Sequence, residues 1–165
     1  MVVSEILKPS SIGITYLHKS NAGYAGKTQS CKEIYRRPEN ILIGLGGKAA
    51  VELHYGGKVA SGCQSDLLQV YRMLQEGVYE NATCGISSIY YAKRLGIDVS
   101  ENLKAKNELI VTSEIERYFS IAKEILLKNK EFLKKVSEEL VKKQVLFYSD
   151  IQRIRNSVTI TQYSI

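Results

Sequence analysis

Residues Ile43 to Gly57 read IGLGGKAAVELHYGG, and the role of their glycines decides how the rest of the chain is interpreted. The Gly-Gly-Lys run suggests a phosphate-binding loop, but that motif needs a glycine five residues before the Gly-Lys pair and a serine or threonine after the lysine. Leu42 and Ala49 occupy these two positions. The spacing of the glycines also differs from the G-x-G-x-x-G pattern of dinucleotide-binding folds. The stretch therefore does not predict a nucleotide site.

The same residues continue a helical pattern. Pro38 suits the first turn of a helix, and Glu39 is placed favourably for the helix dipole. Glycine inside a helix costs about 1 kcal/mol relative to alanine, and it is tolerated where another backbone comes very close. We therefore predict a helix that ends at Gly56-Gly57, whose internal glycines pack against a neighbouring helix and whose apolar face is formed by Leu42, Leu45, Ala49 and Leu53.

Length and composition predict one globular domain. A chain of 165 residues with 44% hydrophobic and 24% charged residues is ordinary for a soluble protein with a single core. No apolar run approaches the roughly 20 residues that span a bilayer, and the start MVVSEILKPSS lacks the features of a secretory signal. We therefore expect a cytoplasmic domain that contains no membrane segment.

Charge and cysteine content argue against two further classes of protein. The net charge is +6, but the densest run of lysines, seven of sixteen, lies in residues 123–143, where they alternate with glutamates. This alternation is typical of a solvated helix face, whereas unmixed basic clusters with interleaved aromatic residues favour nucleic-acid binding. Cys31, Cys63 and Cys84 include no C-x-x-C pair, which predicts reduced thiols rather than a disulfide framework or a cysteine zinc site.

The amino-terminal residues predict a short helical segment followed by a β-hairpin. Residues 2–7 (VVSEIL) are compatible with a helix that stops at Pro9, and so short a helix looks like the end of a longer element. Residues 12–17 (IGITYL) and 22–29 (AGYAGKTQ) are rich in β-branched and aromatic residues. The turn-forming set HKSN separates them, which favours antiparallel pairing.

Helices are predicted for most of the remaining chain. One begins near Ser61, and residues 81–107 then predict a loop with short helical pieces. The strongest pattern starts at Ser113, which forms an S-x-x-E capping box with Glu116, and its length suggests a break near Asn129. The apolar face of the helix that begins near Ser61 is formed by Leu67, Val70, Tyr71, Leu74 and Val78.

The chain closes with a short predicted helix, SDIQRI, which Ser149 or Asp150 would cap. The last ten residues, NSVTITQYSI, predict either a tail or an edge strand.

Few side chains offer the chemistry of a metal or catalytic site. The two histidines, His18 and His54, belong to no H-E-x-x-H or Cys/His cluster, and we interpret them as a surface residue at a turn and a helix-end residue. Asp66 lies at the edge of an apolar helix face, where a carboxylate must be paired, hydrogen-bonded or bound to a cation. Capping of its own helix and binding of a ligand are both open at this point.

Several segments resemble the protease domain of the FtsH-type ATP-dependent zinc metalloproteases. Residues 45–57 (LGGKAAVELHYGG) are similar to the family motif L-G-G-R-A-A-E-E-L-x-x-G, and residues 60–74 (ASGCQSDLLQVYRML) to T-G-A-S-N-D-L-x-x-A-T. GYAG in the hairpin resembles G-x-A-L-G-Y-T, and the segment from EIERYF to SDIQRI resembles the closing helices. The resemblance extends from about Ile12 to about Ile154.

The resemblance implies a mainly α (α+β) fold: a helical metalloprotease-like domain with a small amino-terminal β-hairpin or sheet and a long carboxy-terminal helical segment. It assigns residues 1–156 to the peptidase domain and residues 157–165 to a tail. Asp66 matches the aspartate that supplies the third protein ligand to the catalytic zinc, and no catalytic residue is assigned. Zinc as cofactor, protein substrates and a homohexamer are implied, with ATP use and membrane anchoring in segments outside this chain.

One family feature is expected before residue 2. The H-E-A-G-H helix carries two histidine ligands and the general-base glutamate, and VVSEILKP resembles the residues after its second histidine. Because zinc hydrolysis needs three protein ligands and a base, we expect this chain to be an amino-terminally truncated and inactive part of a metalloendopeptidase. The alternative is a natural non-catalytic FtsH-like scaffold that binds protein partners.

Overall fold

The computed structural model describes residues 1–20, 23–30, 37–56, 61–80, 92 and 94–164. These ranges contain six α-helices and three strands, which confirms the prediction of a mainly α fold with a small sheet. The helices are α1 (Val2–Leu7), α2 (Arg37–Tyr55), α3 (Gln64–Glu80), α4 (Glu101–Lys128), α5 (Lys130–Lys143) and α6 (Tyr148–Asn156). The strands are β1 (Ile12–Ser20), β2 (Gly23–Ser30) and β3 (Val145–Phe147), and a 3-10 turn, Ser61–Cys63, precedes α3.

The predicted hairpin is confirmed, with a first strand that is three residues longer than predicted. β1 pairs antiparallel with β2 from Ile12 opposite Ser30 to Ser20 opposite Gly23. The assignment of HKSN to a turn was wrong for its first three residues, because the backbone ladder continues through them. β3, which the sequence analysis did not predict, pairs with the other side of β1. The resulting order β2-β1-β3 makes β2 an edge strand of this sheet.

Helix α2 lies at the centre of the helical layer and packs against α1, α3 and α4. Leu42, Leu45 and Ala49 are almost completely buried, which confirms the predicted apolar face, whereas Leu53 near the end of α2 is 37% exposed. Buried residues of the other helices complete one continuous core, including Val3, Ile6, Val70, Leu74, Val111, Ile125 and Phe132. This packing fixes α1 and α3 on neighbouring faces of α2.

The structure confirms most of the apolar face that was predicted for helix α3. Val70, Leu74 and Val78 are buried and Leu67 is half-buried. Tyr71 was placed on this face wrongly, because it is 36% exposed and lies beside the buried stripe rather than within it.

Helix α4 begins twelve residues earlier than predicted, at Glu101 rather than Ser113. The hydroxyl of Ser100 accepts the Leu103 N–H at 3.3 Å and caps the helix. The Ser113 capping box was therefore wrong: Ser113 is an exposed residue in the helix interior. The buried face starts with Asn107 and Val111, so tertiary packing extends the helix through a sequence that also fits a cap. The short helical piece predicted around SENLKAKN is thus confirmed as the first part of a longer helix, and residues 81–91 lie outside the described residues.

The predicted break near Asn129 is confirmed. Asn129 is buried and separates α4 from α5 with a non-helical backbone. Its side-chain amide donates to Ile125 O at 2.9 Å and to Thr161 O at 3.0 Å, and its Oδ1 accepts the Thr161 N–H at 2.9 Å. Residues 158–164 form no strand, and Asn129 holds them against the core.

Helix α6 starts at Tyr148, close to the predicted position, but its cap differs. Phe147 occupies the N-cap position, and the Asp150 carboxylate, three residues later, accepts the Phe147 N–H at 3.2 Å. Cys63 is a buried thiol, and Cys31 and Cys84 lie outside the described residues. No helix within the described ranges is long and apolar enough to span a bilayer.

Candidate functional site

A cleft of about 720 Å³ lies between the edge strand β2 on one side and helices α2 and α3 on the other. Residues 26–29 of β2 form one wall, and Asn40, Ile43, Gly44 and Gly47 of α2 form the opposite wall. Asp66 and Met73 of α3 also line it. Because α2 and α3 are fixed by the core while β2 is an edge strand, the cleft has a rigid helical side and an open strand side.

Asp66 is the acidic side chain that lines this cleft. It lies in the first turn of α3, where a carboxylate interacts favourably with the positive end of the helix dipole. The residue is exposed rather than buried, so its carboxylate needs no partner inside the protein. The prediction that Asp66 must be paired or bound rested on partial burial and was wrong in this respect. Exposure leaves the carboxylate accessible to a ligand in the cleft.

Met1, immediately before α1, also lines the cleft. Burial lowers the pKa of its amino group to about 6, and the negative charges of Asp66 and Glu5 act in the opposite direction. Helix α1 therefore directs its amino-terminal end toward the cleft that contains Asp66.

The orientation of α1 is set by the buried carboxylate of Glu5. This carboxylate accepts the Ser10 N–H at 2.8 Å and the Ser11 N–H at 3.3 Å, in the turn that follows α1. Ser10 adopts the left-handed backbone conformation, with φ of 61°, and the Glu5 hydrogen bond holds it there. Groups of α6 bind the same glutamate, so α1 is anchored at its carboxy-terminal end while its amino-terminal end faces the cleft.

The glycines of α2 confirm the close-packing prediction at two positions. A Cβ atom on Gly44 would lie 2.6 Å from Cγ2 of Val70 in α3, and one on Gly46 would lie 2.9 Å from Cγ2 of Val3 in α1. Real Cβ atoms essentially never approach so closely. These two glycines therefore let α1 and α3 pack directly against α2, and they bring the amino-terminal end of α1 and Asp66 to the same cleft.

The two histidines lie away from this cleft. His18 is exposed on β1 opposite Ala25, and its placement at a turn was wrong because β1 continues to Ser20. His54 is exposed near the end of α2, as predicted, and its ring meets that of Tyr55 edge to face. Within the residues that the structure describes, no three His, Cys, Asp or Glu side chains form a group that could hold a metal ion.

The fit of this site to zinc is therefore partial. A structural or catalytic zinc ion takes at least three protein ligands. Asp66 offers carboxylate oxygens and is exposed in the cleft, and the described residues hold no group of three such side chains that could bind a metal ion. Glu52 has a different role, because its carboxylate binds the Lys123 ammonium at 2.9 Å and links α2 to α4.

Sequence reasoning identified Asp66 but missed other residues that shape the site. Glu5 carries a detectable signal, since it is the one ionisable residue in the apolar segment VVSEIL. The strand residues 26–29 carry no signal of their own, because only the pairing of β1 with β3 on its other side makes β2 an edge.

The described residues thus form a mainly helical domain with a small sheet and, beside the edge strand, a cleft that contains the Asp66 carboxylate. The chain matches the Peptidase family M41 over residues 27–154, which is more than half of its length. It therefore belongs to this family, which is a family of zinc metalloproteases, and the resemblance to the FtsH-type protease domain is confirmed. A search of curated proteins found no match.

Proposed function

We propose that this chain is part of a zinc metalloendopeptidase that cleaves proteins, and that Asp66 is one of the protein ligands of the zinc ion. The observation that carries the proposal is the exposed Asp66 carboxylate, in the first turn of α3, within a cleft of a Peptidase M41 domain. Zinc, when bound, supplies a Lewis acid and lowers the pKa of a bound water. Asp66 would hold it through a carboxylate oxygen.

We propose that the complementary ligands and the general base approach from the amino-terminal side of α1. Met1 supports this direction, because it lines the same cleft as Asp66 and its amino group interacts electrostatically with that carboxylate. The hydrogen bonds of Glu5 anchor the other end of α1 and so hold the direction of this helix. Helix α1 thus fixes the position of its amino-terminal end relative to Asp66.

The same cleft is proposed to bind the substrate as an extended peptide along β2. Residues 26–30 are exposed, and β1 occupies only one side of this strand. The other side of an edge strand presents backbone N–H and C=O groups that can pair with an added strand. A peptide bound in this way would pass between β2 and α2, close to Asp66.

The remaining functional assignments are proposals from family membership. We propose a peptidase domain over residues 1–156 with a tail at 157–165, a hexameric assembly and a cytoplasmic location. We also propose that ATP use and membrane anchoring belong to other parts of the natural protein.

The metal assignment is tested in a protein expressed from the natural coding region, including any codons upstream of Met1. If that region encodes an H-E-x-x-H motif, the purified protein should retain one zinc per chain after dialysis and cleave casein. Asp66→Ala should lose both properties, whereas Glu76→Ala, in the same helix and away from the cleft lining, should keep them. Unchanged zinc affinity in Asp66→Ala would remove Asp66 from the site.

The 165-residue chain provides the complementary measurement. We expect it to hold no stoichiometric zinc and to leave casein intact, because its described residues offer one suitable ligand in the cleft. Zinc that survives dialysis of this chain would instead require a site built entirely within the 165 residues. A coding region without an H-E-x-x-H motif would favour the non-catalytic scaffold.

A further inference from the structure

Several described glycines can be sorted by their backbone conformation and by the atoms that a Cβ at each position would meet. Gly56 and Gly96 have positive φ angles, a backbone conformation that side chains rarely adopt. Gly44 and Gly46 contact buried valines so closely that a methyl group would collide with them. The fold therefore requires these four glycines.

Gly47 belongs to neither group. It lies in the interior of α2, where glycine is less favourable than alanine, and its φ angle is not positive. A Cβ atom there would meet one described atom within 4 Å, Oδ2 of Asp66 at 3.8 Å, which is an ordinary van der Waals contact. Alanine would thus fit at position 47 and would favour the helix.

The location of Gly47 suggests why a glycine is useful there. It is exposed and lines the same cleft as residues 26–29 of β2. Gly26 and Gly62 also line this cleft, and a Cβ atom on either would meet no described atom within 4 Å. Gly26, Gly47 and Gly62 therefore line the same space, and a Cβ atom on any of them would lie no closer than 3.8 Å to a described atom.

We propose that Gly47 is a specificity-determining residue that provides room for the main chain of an extended peptide between β2 and α2. Glycine allows another backbone to approach a helix more closely than any other residue does. A side chain at position 47 would project into the cleft beside Asp66 and narrow it against β2. The inference rests on the proposed function, because it names the path of the peptide through the proposed substrate site.

Binding of an unfolded protein tests this proposal without any catalytic step. Fluorescein-labelled casein is titrated with the 165-residue chain, and the dissociation constant is measured by fluorescence anisotropy. Gly47→Ala should weaken binding by roughly fivefold or more, as expected when a tight contact must accommodate an extra methyl group. Gly47→Leu should weaken it further, because its side chain fills more of the cleft.

Thermal unfolding separates a role in binding from a role in folding. Both variants should unfold at the same temperature as the unmodified chain or higher, because alanine and leucine are better helix formers than glycine. Ser120→Ala, at an exposed position of α4, is the matched control: it raises helix propensity outside the cleft and should leave casein binding unchanged.

Three results would contradict the proposal and distinguish it from the proposed function. Casein binding within twofold of the unmodified chain in both Gly47 variants would overturn the role of Gly47 alone. A clear fall in the unfolding temperature of Gly47→Ala would show that the fold requires this glycine, which also overturns it. Absence of casein binding by the unmodified chain would overturn the cleft as a substrate site, and the inference with it.

Discussion

The Glu5 carboxylate accepts a hydrogen bond from the Gln152 side-chain amide at 2.9 Å and so joins the first helix of the chain to the last. Arg155 strengthens this junction: its guanidinium donates to Glu5 O at 2.8 Å and lies 3.7 Å from the Glu5 carboxylate. Glu5 is completely buried, and the Arg155 side chain is 13% exposed. The position of α1 therefore depends on residues almost at the other end of the sequence.

Glu5→Ala should lower the free energy of unfolding by about 3 kcal/mol, because the buried donors lose their acceptor and the largely buried Arg155 cation loses its nearby negative charge. Glu5→Gln should cost less, about 1 to 2 kcal/mol, since it retains one oxygen acceptor. Urea denaturation followed by circular dichroism measures both. The control is Glu101→Gln, which removes an exposed pair with Lys104 and should leave stability almost unchanged. Equal losses for Glu5→Ala and Glu101→Gln would contradict the anchoring role.

Gly44→Ala should destabilise the protein by about 1 to 3 kcal/mol, because its methyl group would collide with Val70, a buried and conformationally stiff side chain. The double variant Gly44→Ala/Val70→Ala tests the cause. Its loss of unfolding free energy should be smaller than the sum of the two single losses by roughly 0.5 to 3 kcal/mol, because the second change removes the colliding atom. Denaturant titration of the four proteins gives the coupling energy, and strict additivity would show that the two residues do not meet.

Asn129→Ala should release the carboxy-terminal segment from the break between α4 and α5. The loss of its hydrogen bonds to Thr161 and Ile125 should cost about 2 kcal/mol in unfolding free energy. Hydrogen exchange provides the specific measurement: the amide of Thr161 should exchange much faster in the variant. Thr159→Ala, an exposed change in the same segment, should leave that amide protected. Unaltered exchange at Thr161 in Asn129→Ala would mean that other contacts hold the segment.

Two carboxylates at the junction of α5 and α6 should make stability fall in acid. A hydrogen bond from Lys143 and the Phe147 N–H lower the pKa of Asp150 below 3.8, and hydrogen bonds from Arg153 and Lys143 lower the pKa of Glu139 below 4.5. A carboxyl group with a lower pKa in the folded state stabilises the protein above its unfolded pKa, and this contribution disappears as pH falls through the folded value.

Asp150→Asn should therefore be less stable than the unmodified chain near neutral pH. The difference should shrink as the pH falls through the folded-state pKa of Asp150, which lies below its ordinary value. Urea denaturation at a series of pH values between about 7 and about 2 measures this convergence. A stability difference that stays constant down to the lowest pH would show that the Asp150 charge does not contribute.

The secure predictions from sequence were those that depend on local periodicity. The apolar spacing of Leu42, Leu45 and Ala49 identified the buried face of α2, and a helix too long to be continuous indicated the break at Asn129. Predictions of helix ends were weaker. Ser113 has every local feature of a cap, but Val111 is buried in the core, so packing carries the helix past it.

The candidate site likewise combines features that the sequence predicted with features that only the folded structure shows. The motif around Asp66 identified the residue and the family, because its order and spacing are properties of the sequence itself. The exposure of that carboxylate, the edge position of β2 and the aim of α1 toward the cleft depend on contacts between distant segments. Glu5 and Gln152 illustrate why, because nothing in the sequence around either residue indicates that the two are hydrogen-bonded in the folded protein.

The sequence by itself therefore determined the helical class of this protein, its family and the presence of unusual glycines inside α2. Only the tertiary structure decided what each glycine does. Gly44 and Gly46 contact valines of α3 and α1, whereas Gly47 faces the open cleft beside Asp66. The physical reason is that the sequence records the absence of a side chain, while the neighbour that would occupy its space is set by long-range packing.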